Sequence, residues 1–160
     1  MKRLFVIATV IALTLAVSGL LLAQSNPSIG TWKLNVAKSK YSPGPPPKSQ
    51  TGIYEAVGNG VKVSVEGVAG DGSKIAYSYT ANYDGKDYPV TGTGAPNGAD
   101  TIAMKRVGAN TIDATFKKAG KLVSTNRAVY SQDGKSRTIT SKGTNVSGQP
   151  TNNVSVYEKQ

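Results

Sequence analysis

The chain of 160 residues contains no cysteine and no histidine. Without cysteine no disulfide can staple the fold, so stability must come from a packed core. The same two absences remove the commonest metal ligands and the commonest general base, and they exclude every Ser-His-Asp or Cys-His nucleophilic arrangement. Acidic residues are scarce as well, nine against nineteen Lys and Arg. Three of them, in Asp71-Gly72, Asp84-Gly85 and Asp133-Gly134, occupy turn positions where the carboxylate caps its own backbone. Glu55, Glu66 and Asp87 show no glycosidase or metal-ligand spacing. The glycine-bearing run from Gly92 to Gly98 lacks the Gly-Lys-Ser/Thr ending and the helix that a phosphate loop requires. A familiar enzyme is therefore not expected, and neither is a metal or cofactor.

Long apolar runs are also missing, with one exception at the start. Lys2 and Arg3 precede a stretch from Leu4 to Leu22 that is apolar apart from Thr9, Thr14, Ser18 and Gly19. Polarity begins after Ala23, at Gln24-Ser25-Asn26-Pro27. This order predicts a signal peptide over residues 1–23 and a mature domain over 24–160, periplasmic or secreted. Retention of the run as an N-terminal anchor stays open, since ~20 apolar residues can span a bilayer. No cysteine follows the run, so a lipid-modified bacterial lipoprotein is not indicated, and no membrane span is expected once the signal is removed. Loss of Lys2 and Arg3 leaves 17 basic residues against 9 acidic ones, a charge of +8. The basic residues are spread along the chain, which suits a solvated surface. Nucleic-acid binding is not expected, because the aromatics read as inward-facing and unavailable for stacking. A monomer is expected.

What the sequence has in quantity is short alternating segments separated by glycine-bearing turns. Val61, Val63 and Val65 alternate with polar neighbours, as do Ile75, Tyr77 and Tyr79, then Ile102 and Met104, then Ile112, Ala114 and Phe116. A period of two with one apolar face marks antiparallel strands lying on a core. Asn-Gly and Asp-Gly pairs between them mark hairpins. About ten strands at intervals of about 11–13 residues predict an all-β meander that closes into an up-and-down barrel and so removes its edges. A two-sheet β-sandwich is the alternative. Residues 36–50, which include Pro43, Pro45, Pro46 and Pro47, read as an irregular, stiff connection.

The only tryptophan lies in Gly30-Thr31-Trp32-Lys33-Leu34. Trp32 and Leu34 share one side of an extended segment, and Gly30 leaves room for a close neighbour. Trp32 thus reads as the plug of a barrel floor. This stretch resembles the Gly-x-Trp opening of the calycins, the lipocalins and fatty-acid-binding proteins. Val156-Tyr157-Glu158-Lys159 resembles the closing strand of the fatty-acid-binding proteins. The resemblance implies a binding barrel for a small hydrophobic or anionic amphipathic molecule. Fatty-acid binders of this kind clamp a carboxylate with an Arg-x-Tyr pair in the last strand. The matching residues here are Ser155 and Tyr157, so the tyrosine is present and the arginine is not. The helical lid of that family is absent too. Arg106 shares parity with Ile102 and Met104, and Arg127 shares parity with Val123 and Val129. Either could reach inward, or stack on Trp32 as a late-strand arginine does in lipocalins. The candidate ligand-binding set is therefore Tyr77, Tyr79, Arg106, Arg127 and Tyr157. The alternative is a structural or interaction domain whose barrel is filled by its own side chains.

Overall fold

The computed structural model describes residues 26–160, and the expected signal segment at 1–23 lies outside them. Ten antiparallel strands follow one another: β1 Gly30–Lys40, β2 Ser49–Val57, β3 Gly60–Val68, β4 Lys74–Asn82, β5 Asp84–Thr93, β6 Thr101–Gly108, β7 Thr111–Lys118, β8 Lys121–Tyr130, β9 Ser136–Thr144 and β10 Pro150–Lys159. Each strand pairs with its successor, and β1 also pairs with β10, so the sheet closes into an up-and-down barrel and not a sandwich. A single 3₁₀ turn, Pro96–Gly98, is the one helical element among the described residues, and no helix there is long and apolar enough to cross a membrane.

The strands form where alternation predicts them. Val61, Val63, Ile102 and Trp32 are fully buried, and Val65, Ile75, Tyr79, Met104, Ile112 and Phe116 join the same inward cluster. Their neighbours in sequence face water, as the period of two requires. The irregular connection is shorter than expected, 41–48 instead of 36–50, because β1 continues to Lys40 through a bulge between Asn35 and Lys40. Ser39 sustains the bulge: its hydroxyl donates to the Asn35 carbonyl at 2.7 Å and accepts the Val156 N–H at 3.0 Å. Backbone groups that lose ladder partners are thereby satisfied.

The parity of β8 reverses the expectation. Ser124, Asn126, Ala128 and Tyr130 face the interior, whereas Arg127 and Val129 are exposed. A register shift where β7 meets β8 moves the pairing from Phe116↔Ser124 to Lys117↔Leu122 and skips Val123. Downstream of that shift the inner row is the polar one. The apolar residues no longer mark the inside of this wall: Val129 is exposed while Ser124 and Asn126 line the cavity.

The barrel has a closed floor and an open mouth. At the floor, the segment before β1 folds under the barrel: Asn26 and Ser28 both meet the Tyr83 hydroxyl at 2.9 Å. At the mouth, the 41–48 connection is strapped across the rim. The Asn152 N–H donates to the Ser42 carbonyl, and the Lys48 N–H to the Val68 carbonyl, both at 2.8 Å. Opposite the strap the 3₁₀ turn is held to β8 by Asn97, whose amide nitrogen donates to the Val123 carbonyl at 2.9 Å.

Candidate functional site

The lumen holds a cavity of about 230 Å³ running from the floor aromatics to the mouth. At its inner end lies Arg137 at the start of β9, only 3% exposed. Register explains its position. Arg137 lies directly between Tyr130 of β8 and Tyr157 of β10, its cross-strand partners on either side. Its guanidinium carbon stands 4.4 Å from the Tyr54 ring centroid, 4.7 Å from Tyr157, 4.9 Å from Trp32 and 6.0 Å from Tyr130. These are cation–π distances. Trp32 meets Tyr130 edge-on at 5.4 Å and donates its indole N–H to the Ser28 carbonyl at 2.8 Å. The arginine therefore sits in an aromatic cage on the barrel floor.

The cage gives Arg137 ring faces but little hydrogen bonding. One Nη donates to the Tyr130 hydroxyl at a long 3.4 Å, and the buried Nε has no partner among the described residues. No carboxylate lines the cavity. Of the chain's nine acidic residues, none is buried, and six pair with lysine or arginine on the outer surface. A buried guanidinium without a counter-charge is costly unless an anion joins it. Burial works against the Arg137 charge; Coulombic attraction to Tyr54, Tyr130 and Tyr157 sets its pKa above the ordinary arginine value, but that attraction needs ionised tyrosines and supplies no counter-charge at ordinary pH.

Above the cage the walls differ in chemistry. The β4 wall presents Ile75, Tyr77 and Tyr79, and β6 and β7 add Ile102, Met104 and Phe116. Across from β4, five strands away in either direction round the ring, stands β9. Its inward face and those of its neighbours carry Ser124 and Asn126 from β8, Ser141 from β9, and Asn153 and Ser155 from β10. Tyr41, from the strap, lies 2.6 Å from Ser155 through the two hydroxyls, and the Tyr157 hydroxyl donates to Gln50 at 2.8 Å. Burial raises the hydroxyl pKa of Tyr41, Tyr77, Tyr79 and Tyr157, and pushes that of Tyr130 up to about 12. All five are therefore neutral hydrogen-bonding groups at ordinary pH.

Three of the five residues singled out from sequence line this cavity: Tyr77, Tyr79 and Tyr157. The two arginines do not. Arg106 is half-buried below it, stacked 5.2 Å over Tyr83 at the floor. Arg127 lies on the outer wall in a bidentate pair with Asp113, with both contacts within 2.8 Å. The arginine over Trp32 is Arg137. A signal for it existed in the sequence: Arg137 shares parity with Ile139, which also lines the cavity. Among the described residues no three His, Cys, Asp or Glu side chains converge as a metal site would need.

The closed antiparallel ten-strand barrel, with a buried tryptophan on its first strand and an arginine stacked on it, is consistent with a calycin-like fold. No protein-family model matches the chain. No characterised protein shows significant sequence similarity to it.

Proposed function

We propose that this protein is an exported, non-enzymatic, monomeric carrier that holds a small amphipathic anion in its barrel lumen. The anionic end lies against Arg137 and the body fills the space below the mouth. One observation carries the reading: Arg137 is buried at the end of an accessible cavity with an unpartnered Nε and no carboxylate beside it. A bound carboxylate or similar anion would supply the charge-assisted hydrogen bonds that the aromatic cage lacks. The basic n-region and apolar run at residues 2–22 support export. The non-enzymatic reading rests on the lack of a nucleophile–base pair: the lumen offers hydroxyls and amides, but no histidine, cysteine or carboxylate to take a proton.

The test is calorimetric titration of the purified chain with three probes that share one apolar body and differ in their end: carboxylate, primary amide and ammonium. The carboxylate should bind saturably and at least ~10-fold more tightly than the amide, the scale of a lost charge-assisted hydrogen bond. Arg137→Met should remove that preference, whereas Arg127→Ala on the outer wall should leave it intact. Equal affinity for all three ends, or no saturable uptake, would defeat the proposal.

A further inference from the structure

Above the aromatic cage the two walls of the lumen differ, and that difference specifies the body of the ligand beyond its charged end. A lumen built for an alkyl chain would be apolar on all sides. Here the β4 wall is apolar and aromatic, while the facing wall from β8 to β10 sets the hydroxyls and amides of Ser124, Asn126, Ser141, Asn153 and Ser155 beside Ala128 and Ile139. Several of these groups are unspent. The Asn126 carboxamide accepts from Ser124 at 3.1 Å, and Asn153 accepts the Ser42 N–H at 3.0 Å. Both residues line the cavity, and neither carboxamide NH₂ donates to a partner among the described residues. The Ser141 hydroxyl likewise has none.

An alkyl chain lying on this wall would strip water from those groups and return nothing, which is the arrangement a hydrogen-bonding site discriminates against most strongly. A flat ring bearing hydroxyls would satisfy both walls at once. Its face would lie on Tyr77, Tyr79 and Ile75, its hydroxylated edge would meet Asn126, Ser141 and Asn153, and its carboxylate would reach Arg137. The cavity of about 230 Å³ lies below the ~300–1,000 Å³ of sites for drug-sized ligands, which limits the occupant to a smaller molecule such as a single substituted ring. Six tyrosines on the lining, Tyr41, Tyr54, Tyr77, Tyr79, Tyr130 and Tyr157, supply the ring-to-ring contacts.

We infer that the ligand is a hydroxylated aromatic carboxylate, recognised by its hydroxyls on the β8–β10 wall as well as by its charge. The inference rests on the carrier reading above. The experiment compares three carboxylates by titration calorimetry on the wild-type chain: a dihydroxycinnamate, cinnamate and decanoate. The dihydroxycinnamate should bind ~10- to 100-fold more tightly than either of the others, the scale of one or two buried polar groups left without partners. Asn126→Leu and Ser141→Ala, checked for retained β circular dichroism, should bring the ratio between dihydroxycinnamate and cinnamate to within ~3-fold by removing the selecting contacts. Decanoate binding as tightly as the dihydroxycinnamate would overturn this inference while leaving the carrier in place. An unchanged ratio in both folded variants would overturn it in the same way. Failure of all three carboxylates to bind would overturn the carrier and the inference together.

Discussion

At the scale of single residues, Arg137 and Trp32 share one cage but make opposite contributions. Burying a guanidinium without a carboxylate costs several kcal/mol even after relaxation, about what four cation–π contacts at ~0.5–2 kcal/mol each return. The folded apoprotein therefore gains little from this charge. Arg137→Met keeps the volume and removes the desolvation penalty, so urea denaturation should show stability within ~1 kcal/mol of wild type, or higher. A loss above ~3 kcal/mol, the size seen when a satisfied buried pair is broken, would mean that the arginine is a structural strut. Trp32 is pure gain: fully buried, in edge contact with Tyr130, its N–H satisfied by Ser28. Trp32→Ala should cost ~3–5 kcal/mol, the range for deleting a large core aromatic. Circular dichroism is the measurement to use, since the variant has no tryptophan to report. A cost below ~1 kcal/mol would place Trp32 with ordinary surface residues.

At the scale of elements, legibility follows the wall. Strands β3, β4, β6 and β7 are read correctly from sequence because their inner rows are apolar, as in Val61-x-Val63-x-Val65 and Ile112-x-Ala114-x-Phe116. The closing strands resist the same reading. On β8 the inward residues are Ser124 and Asn126 while Val129 faces solvent, so hydropathy points the wrong way and draws Arg127 inward by mistake. Alternation marks the inner row only where that row is apolar, and on β8 the cavity is faced by Ser124 and Asn126. The site was thus hidden in the strands whose pattern disagreed with the rest. β5 shows a second kind of constraint. It pairs with β4 through Val90–Thr93 and with β6 through Asp84 and Asp87–Pro89, and Gly92 sits in the β4-paired part at φ +107°. A Cβ there would also run into the Ala76 carbonyl of β4. Gly92→Ala should therefore destabilise the barrel by ~1–3 kcal/mol, the cost of a strained backbone conformation. An unchanged thermal midpoint would show that β5 can straighten without penalty.

At the scale of the whole molecule, charge is arranged in two shells, and the arrangement sets the pH response. Carboxylates and most cations are on the outside, while the lumen holds neutral tyrosines around one arginine. Hydrogen bonds from Ser73, Lys86, Arg127, Ser131 and Lys38 hold Asp71, Asp84, Asp113, Asp133 and Glu158 below their ordinary pKa values. Their contribution is present above ~4 and fades as acid titrates them, but they lie at the surface, where solvent and salt keep it small. The tyrosines act at the other end of the scale and more strongly. Burial raises the hydroxyls of Tyr41, Tyr77, Tyr79, Tyr130 and Tyr157 above the value of ~10 that an unfolded chain shows. Below that pH both states keep these protons and stability does not depend on them. Above it the unfolded chain releases protons that the barrel retains, so stability falls as pH rises, by up to ~1.4 kcal/mol per unit for each tyrosine. Five such groups exhaust a typical margin of ~5–15 kcal/mol within one or two units. Thermal melts should accordingly be nearly level from pH ~5 to ~9 and collapse cooperatively above ~10.5, with the tyrosinate absorbance of five of the eight tyrosines appearing in the same step as loss of β structure. Gradual formation of more than three tyrosinates before any unfolding would show that water reaches the lumen hydroxyls freely and that the lumen is wet to its floor.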